Sequence, residues 1–182
     1  MDKANIIYRK HNNGFSIVEL VVVIAIMSVI VGITSFGIGM LSGRQAQKAS
    51  SRFGSNLDRI RTISMGKSSA SLELYVTSTG VYTKETIDGA VRDEVMLGPS
   101  KVTCSYSYVT SEGATTVEMG VGDSITIIFD RSDGSLKSIY SSGSAIYEKG
   151  TTKSINEINF IFTKANKKYN VSLVPVTGRV SN

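Results

Sequence analysis

One continuous apolar run, residues 15–41, reads FSIVELVVVIAIMSVIVGITSFGIGML and is broken by a single charge, Glu19. As a helix its 27 residues would measure about 40 Å, more than the ~30 Å hydrocarbon core of a bilayer. A helix that packs in a soluble core is apolar along one stripe. This segment is apolar all round, which points to a membrane segment rather than a buried globular helix. A carboxylate at the middle of such a helix costs about 2.5–3.5 kcal/mol and less near its end, so Glu19 marks a functional position that needs a partner.

The residues upstream suggest that partner. MDKANIIYRKHNNG is short and polar, carries Lys3, Arg9 and Lys10 against Asp2, and ends in Gly14 directly before Phe15. An ordinary secretory signal places its apolar stretch ahead of a small-residue cleavage site and loses it. Here the small residue comes first. A cut between Gly14 and Phe15 would create an α-amino group, ordinarily protonated at neutral pH, four helical positions from Glu19.

GFSIVEL followed by apolar residues to Leu41 resembles the class III signal of type IV pilins and type II secretion pseudopilins, with Gly14, Phe15 and Glu19 at the three most informative positions. The resemblance covers the N-terminal third closely and the remainder by architecture. It implies cleavage after Gly14 by a membrane aspartyl prepilin peptidase and N-methylation of Phe15. It also implies single-pass insertion in the cytoplasmic membrane with an extracytoplasmic head, then extraction by an assembly ATPase and platform membrane protein into a filament at the cell surface. The expected partners are homo- or hetero-oligomeric pilin subunits. Lys and Arg flank both ends of the run, so the leader-in, head-out orientation rests on the resemblance.

Within a core of apolar helices an unpaired Glu19 is penalised, whereas opposite charges about 4 Å apart gain on the order of 4 kcal/mol at an effective dielectric near 20. A subunit entering at the wrong height leaves both charges unmatched, so pairing of Glu19 with a neighbour's Phe15 amine acts as a register device. The competing role, stabilisation of its own helix N-terminus, is worth about 0.3–1 kcal/mol.

Removing residues 1–14 and a helix through residue 67 leaves 115 residues, enough for one small domain. The expected organisation is a leader at 1–14, a membrane or filament-core helix at 15–41, an amphipathic continuation at 42–67 and a β-sheet head at 68–182. Cys104 is the only cysteine, so no intramolecular disulfide forms, and it reads as a small buried hydrophobe. His11, the only histidine, lies in the leader. The processed chain would lack the usual general base, Ser-His and Cys-His nucleophiles and histidine-ligated zinc, so the expectation is no enzyme and no cofactor or metal. Glu118, Asp123, Asp130 and Asp133 read as turn and solvent-face residues, and Asp130 does not open an EF-hand loop.

Beyond the apolar run, Ala46, Ala49, Phe53, Leu57, Ile60 and Ile63 recur at spacings of three and four, with Arg44, Lys48, Arg52, Asp58, Arg59 and Arg61 between them. The pattern predicts an amphipathic continuation of the helix to about Met65, ended by Gly66. Gly32, Gly37, Gly39 and Gly43 near the junction have two readings, a segment that melts or stretches during assembly, or close helix packing and ordinary membrane glycine; the pilins this chain resembles often carry a proline here, and its absence between Phe15 and Met65 weighs against melting.

From Ser71 the period falls to two. Leu72, Leu74 and Val76, then Ile125, Ile127 and Phe129, then Ile158, Phe160 and Phe162 alternate with their neighbours as in strands. Ser132-Asp133-Gly134 and Ala165-Asn166-Lys167 read as hairpin turns. Region 88–119 is less patterned, with a strand at 102–109 and a polar loop at 111–116. A helix followed by strands makes the class α+β, a long N-terminal helix packed on an antiparallel β-sheet head.

The tail YNVSLVPVTGRVSN and the strand-turn-strand at 129–136 resemble, more loosely, minor pseudopilins of the GspH and FimT type, some of which bind DNA through basic residues near the C-terminus. Arg179 is the matching position, and a DNA-binding minor pilin of a competence pilus is the alternative function. Of the net charge of +5, the leader removes three cations and one anion, leaving +3, concentrated largely at 44–67. Phosphates of DNA and anionic lipid headgroups would both attract that stretch, and a solvated helix face is its commonest explanation.

Overall fold

The computed structural model describes residues 16–66, 68–110, 113–151 and 155–181, with the side chains of 33–42 outside the description. It divides into two compact units, Met1–Ile38 and Gly39–Asn182. Helix α1, Ile17–Met65, runs through both. It ends where the Gly66 N–H donates to the carbonyls of Thr62 and Ile63.

Eleven strands follow among the described residues: β1 Ala70–Val76, β2 Gly80–Ile87, β3 Ala90–Pro99, β4 Thr103–Thr110, β5 Gly113–Met119, β6 Ser124–Phe129, β7 Leu136–Ser141, β8 Ser144–Glu148, β9 Ile158–Lys164, β10 Lys167–Val174 and β11 Arg179–Ser181. They form two antiparallel sheets, ordered β3-β2-β1-β6-β7-β8 and β11-β10-β9-β4-β5. The α+β class is as expected. The division into two sheets is new, because alternation tells which face of a strand is buried and not which strands pair.

The expected stripe on α1 is the centre of the core: Ala46, Ala49, Phe53, Leu57 and Ile60 are fully buried. Phe53 packs edge-on against Phe160, with ring centroids 4.9 Å apart, and lies 5.5 Å from the Phe162 ring. Leu72, Leu74, Ile125 and Ile127 of the six-stranded sheet join the same cluster as Ile158, Phe160 and Val171 of the five-stranded one. The helix reaches both sheets through polar contacts as well. Asn56 Nδ2 donates to Thr83 Oγ1 at 2.9 Å on β2, and Ser50 Oγ donates to the Asn170 carbonyl at 3.3 Å on β10.

Two turns behave as their residues dictate. Ala165 and Asn166 are both left-handed (φ 49° and 63°), the requirement of a two-residue type I′ hairpin, so Lys167 already pairs with Lys164 as the first residue of β10. In the β6–β7 turn, Asp130 Oδ1 accepts from the Ser132 N–H and hydroxyl, and Lys149 Nζ bridges Asp130 and Asp133 at 2.8 and 2.9 Å. The expected polar loop at 111–116 is corrected: residues 113–116 lie in β5, paired with β4, while 111–112 fall outside the described residues. β5 is an edge strand exposed over most of its length, so it carries little buried alternation to betray it.

The sheets are tied at one end by Arg61, whose Nε donates to the Gly134 carbonyl at 3.0 Å and whose Nη2 donates to the Thr177 carbonyl at 3.0 Å. The Leu136 N–H donates to the Pro175 carbonyl beside them. Gly178 sits in this knot at φ +63°, and a Cβ there would lie 1.9 Å from the Gly134 carbonyl oxygen. Farther along, the Tyr106 hydroxyl donates to Ser141 Oγ at 3.0 Å, from one sheet to the other.

Glu85 is the one carboxylate inside this core among the described residues, 2% exposed, with Arg59 Nη1 3.1 Å from it. Burial pushes its pKa up, Arg59 pulls it back and Asp93 adds to the rise. A carboxyl held above its unfolded value binds its proton more readily when folded. Its contribution to stability is therefore greatest at acid pH and declines as pH climbs through the folded value.

Arg59→Ala should cost about 2 kcal/mol at neutral pH, less than the 3–5 kcal/mol of a fully buried pair because the Arg59 side chain is half exposed and screened. The cost should shrink at acid pH, where Glu85 is neutral; denaturant titrations at two pH values measure both. Gly178→Ala should lower stability by about 2 kcal/mol or more, since it combines left-handed strain with a backbone clash, and thermal melts would report it.

Candidate functional site

The N-terminus of α1 is built by Ser16. Its Oγ accepts from the Val18 N–H at 3.3 Å and its carbonyl accepts from the Leu20 N–H at 3.1 Å, so Ser16 is the N-cap. Counting from that cap, Glu19 occupies the third helical position, in the first turn. The S-x-x-E spacing is that of a capping box, although the Ser16 hydroxyl accepts here from Val18 rather than from Glu19, and Glu19 stands in the first turn where the macrodipole favours an acid. The Glu19 side chain is exposed. Gly14 and Phe15, the expected cleavage pair, lie outside the described residues.

Within the unit Met1–Ile38, the side chains of residues 16–32 are exposed on every face, Ile17 at 82%, Val29 at 62% and Val31 at 62% among them. In water such a surface has no counterpart on an ordinary soluble domain. Ser28 Oγ donates to the Ile24 carbonyl at 2.8 Å, satisfying its own donor within the helix. Among the described residues no helix is long and apolar enough to cross a membrane. The described apolar side chains stop at Gly32, short of the about 20 residues that a span requires, and the remainder of the run falls among the undescribed side chains.

The other expected positions are dispersed. Arg179 is exposed on β11, a three-residue strand paired among the described residues with β10 alone. Cys104 is 2% exposed, and burial pushes its thiol up to about 12, so it stays protonated and unreactive. Gly43 is buried, and a Cβ there would meet the Lys167 stem, with Cδ at 2.5 Å. Gly32 has open space around it, and Gly37 and Gly39 lie outside the described side chains.

Sequence reasoning passed over Glu85. Its signal was present in β2, where Val81, Thr83 and Glu85 share one parity and all three point into the core.

No curated protein and no solved structure matches the chain. Residues 9–35 match the family model for the prokaryotic N-terminal methylation motif, a window that holds Gly14, Phe15, the Ser16 cap, Glu19 and the exposed apolar turns. This chain carries that motif, the class III signal of type IV pilins and pseudopilins, and the motif supports a pilin-like structural subunit.

Proposed function

We propose that the chain is a minor pilin or pseudopilin, a structural subunit of a type IV pilus or type II secretion-like filament, assembled through its N-terminal helix. The observation that carries this reading is that the turns of α1 inside the methylation motif expose apolar side chains on every described face. That surface demands lipid before assembly and sister helices after it. The precursor inserts by residues 15–41 with its head outside the cytoplasmic membrane. Prepilin peptidase cuts between Gly14 and Phe15, and Phe15 is N-methylated. The assembly ATPase and platform protein then move the subunit into the filament. Its function is structural rather than enzymatic, and no cofactor enters it.

Glu19 carries the register. Stabilisation of the helix end and the intersubunit ion pair draw on the same carboxylate but differ in scale, about 0.3–1 kcal/mol for the helix end against about 4 kcal/mol for opposite charges near 4 Å at an effective dielectric of 20. The ion pair dominates. DNA capture through Arg179 gains no support from its place on a terminal edge strand, and the structural role is preferred.

Mass spectrometry of the mature protein should find a chain beginning at a methylated Phe15; filaments made of subunits that keep residues 1–14 would overturn the reading. Gly14→Ala should accumulate precursor on immunoblots, because only a minimal side chain suits the cleavage subsite. Glu19→Gln separates the two roles of that residue. Glutamine serves a capping box as well as glutamate, so normal filament yield from Glu19→Gln would mean that the charge is dispensable. The expected outcome is a processed, inserted subunit that assembles as poorly as Glu19→Ala.

A further inference from the structure

Where the head begins, the chain is surrounded by cations drawn from opposite ends of the sequence. Arg44 and Lys48 are exposed on α1, one turn apart. The β9–β10 hairpin brings Lys164, Lys167 and Lys168 to the same level of the helix: Lys164 Nζ donates to Gln45 Oε1, and the Lys167 stem lies against Gly43. Residues along a helix advance by about 100° each, so Gly43 and Gln45 face directions about 200° apart, with Arg44 on the arc between them. The hairpin lysines therefore meet the helix on two sides, and exposed Arg44 lies at the helical position between them. Exposed Lys101 lies two residues before Thr103, which pairs with Thr163 beside Lys164.

None of these six cations makes an ion pair among the described residues. Elsewhere on the head Arg59, Lys84 and Lys149 are matched to carboxylates, whereas Arg52, Arg92, Arg131, Lys137 and Arg179 are scattered singly without an ion pair among the described residues. Glu118 lines the same surface depression as Lys168 without an ion pair to it. The group sits at a defined place in the chain: the apolar run ends at Leu41, and Arg44 is the first charge after it.

We propose that this ring is a docking collar for the phosphates of anionic lipid headgroups, seating the head on the membrane surface from which its helix emerges. The proposal rests on the membrane-anchored reading above. A ring around a helix matches a plane of charge crossed by that helix, whereas a linear polyanion would call for a stripe. The covalent anchor also holds lipid phosphates beside the collar, so contacts that are individually weak act together. Because exposed charges are screened by salt, the collar releases readily and leaves extraction of the subunit unhindered.

The test uses the full chain in nanodiscs at one copy per disc, made of phosphatidylcholine alone or with about one third phosphatidylglycerol, with a trace of headgroup nitroxide lipid in both. A thiol-reactive fluorophore is attached through Ala165→Cys at the hairpin tip. Ala165 already carries a side chain at positive φ, so the exchange adds little strain, and buried Cys104 does not compete for the label. Quenching should be about threefold stronger in the anionic discs and should fall to the neutral-disc level at high salt. The triple substitution Lys164→Gln, Lys167→Gln, Lys168→Gln should abolish the difference, and Lys137→Gln, exposed on β7, should leave it intact. A chain that enters both discs but whose quenching ignores lipid charge overturns the collar alone. A chain that enters neither overturns the anchor and the collar with it. Loss of quenching on adding a DNA duplex at matched phosphate, or quenching that appears only with several copies per disc, would assign the cations to nucleic acid or to a neighbouring subunit and overturn the proposal.

Discussion

The head depends on one buried stripe of α1. Two antiparallel sheets each present an apolar face, and Ala46, Ala49, Phe53, Leu57 and Ile60 of α1 join the buried side chains of both in one cluster. Small residues lead the stripe and large ones follow. Ala46 and Ala49, with buried Gly43 before them, let the β9–β10 hairpin approach the helix backbone, while Phe53 fills the wider middle against Phe160 and Phe162. The stripe supplies apolar area to both sheets at once, so its loss exposes surface on either side.

Polar groups then set how the sheets meet. Arg61 holds the carbonyls of Gly134 and Thr177, turns from different sheets, in one guanidinium fork, a planar set of donors that lysine could not imitate. Glu85 and Arg59 act at mid-helix with a different balance. Their Coulomb attraction works against the desolvation of a buried carboxylate, which makes the pair a device of specificity more than of net stability. Hydrophobic burial holds the head together, and these contacts select one arrangement of it.

The local features were legible where chemistry is local. The stripe on α1 shows in spacings of three and four, the Ala165-Asn166 turn in residues that tolerate a left-handed backbone, and β1, β6 and β9 in strict alternation. β5 and β8 were not legible, because edge strands with one exposed face need no alternation, and Thr115 and Thr116 read equally well as loop. Glu85 was missed for the opposite reason: a charged residue in a strand is presumed to face water, and only the Arg59 guanidinium across the core makes the inward orientation tolerable.

The methylation signal, the placement of Glu19 three residues beyond its cap and the apolar character of the first turns are properties of contiguous residues, and the sequence by itself determined them. The partition of the strands into two sheets, the knot around Arg61 and Gly178, and the convergence of Arg44 and Lys48 with the hairpin lysines were decided only by the tertiary structure. Each joins residues roughly a hundred positions apart or depends on which strand pairs with which. A period of two or of 3.6 says which way a side chain points, but says nothing of what will stand opposite it.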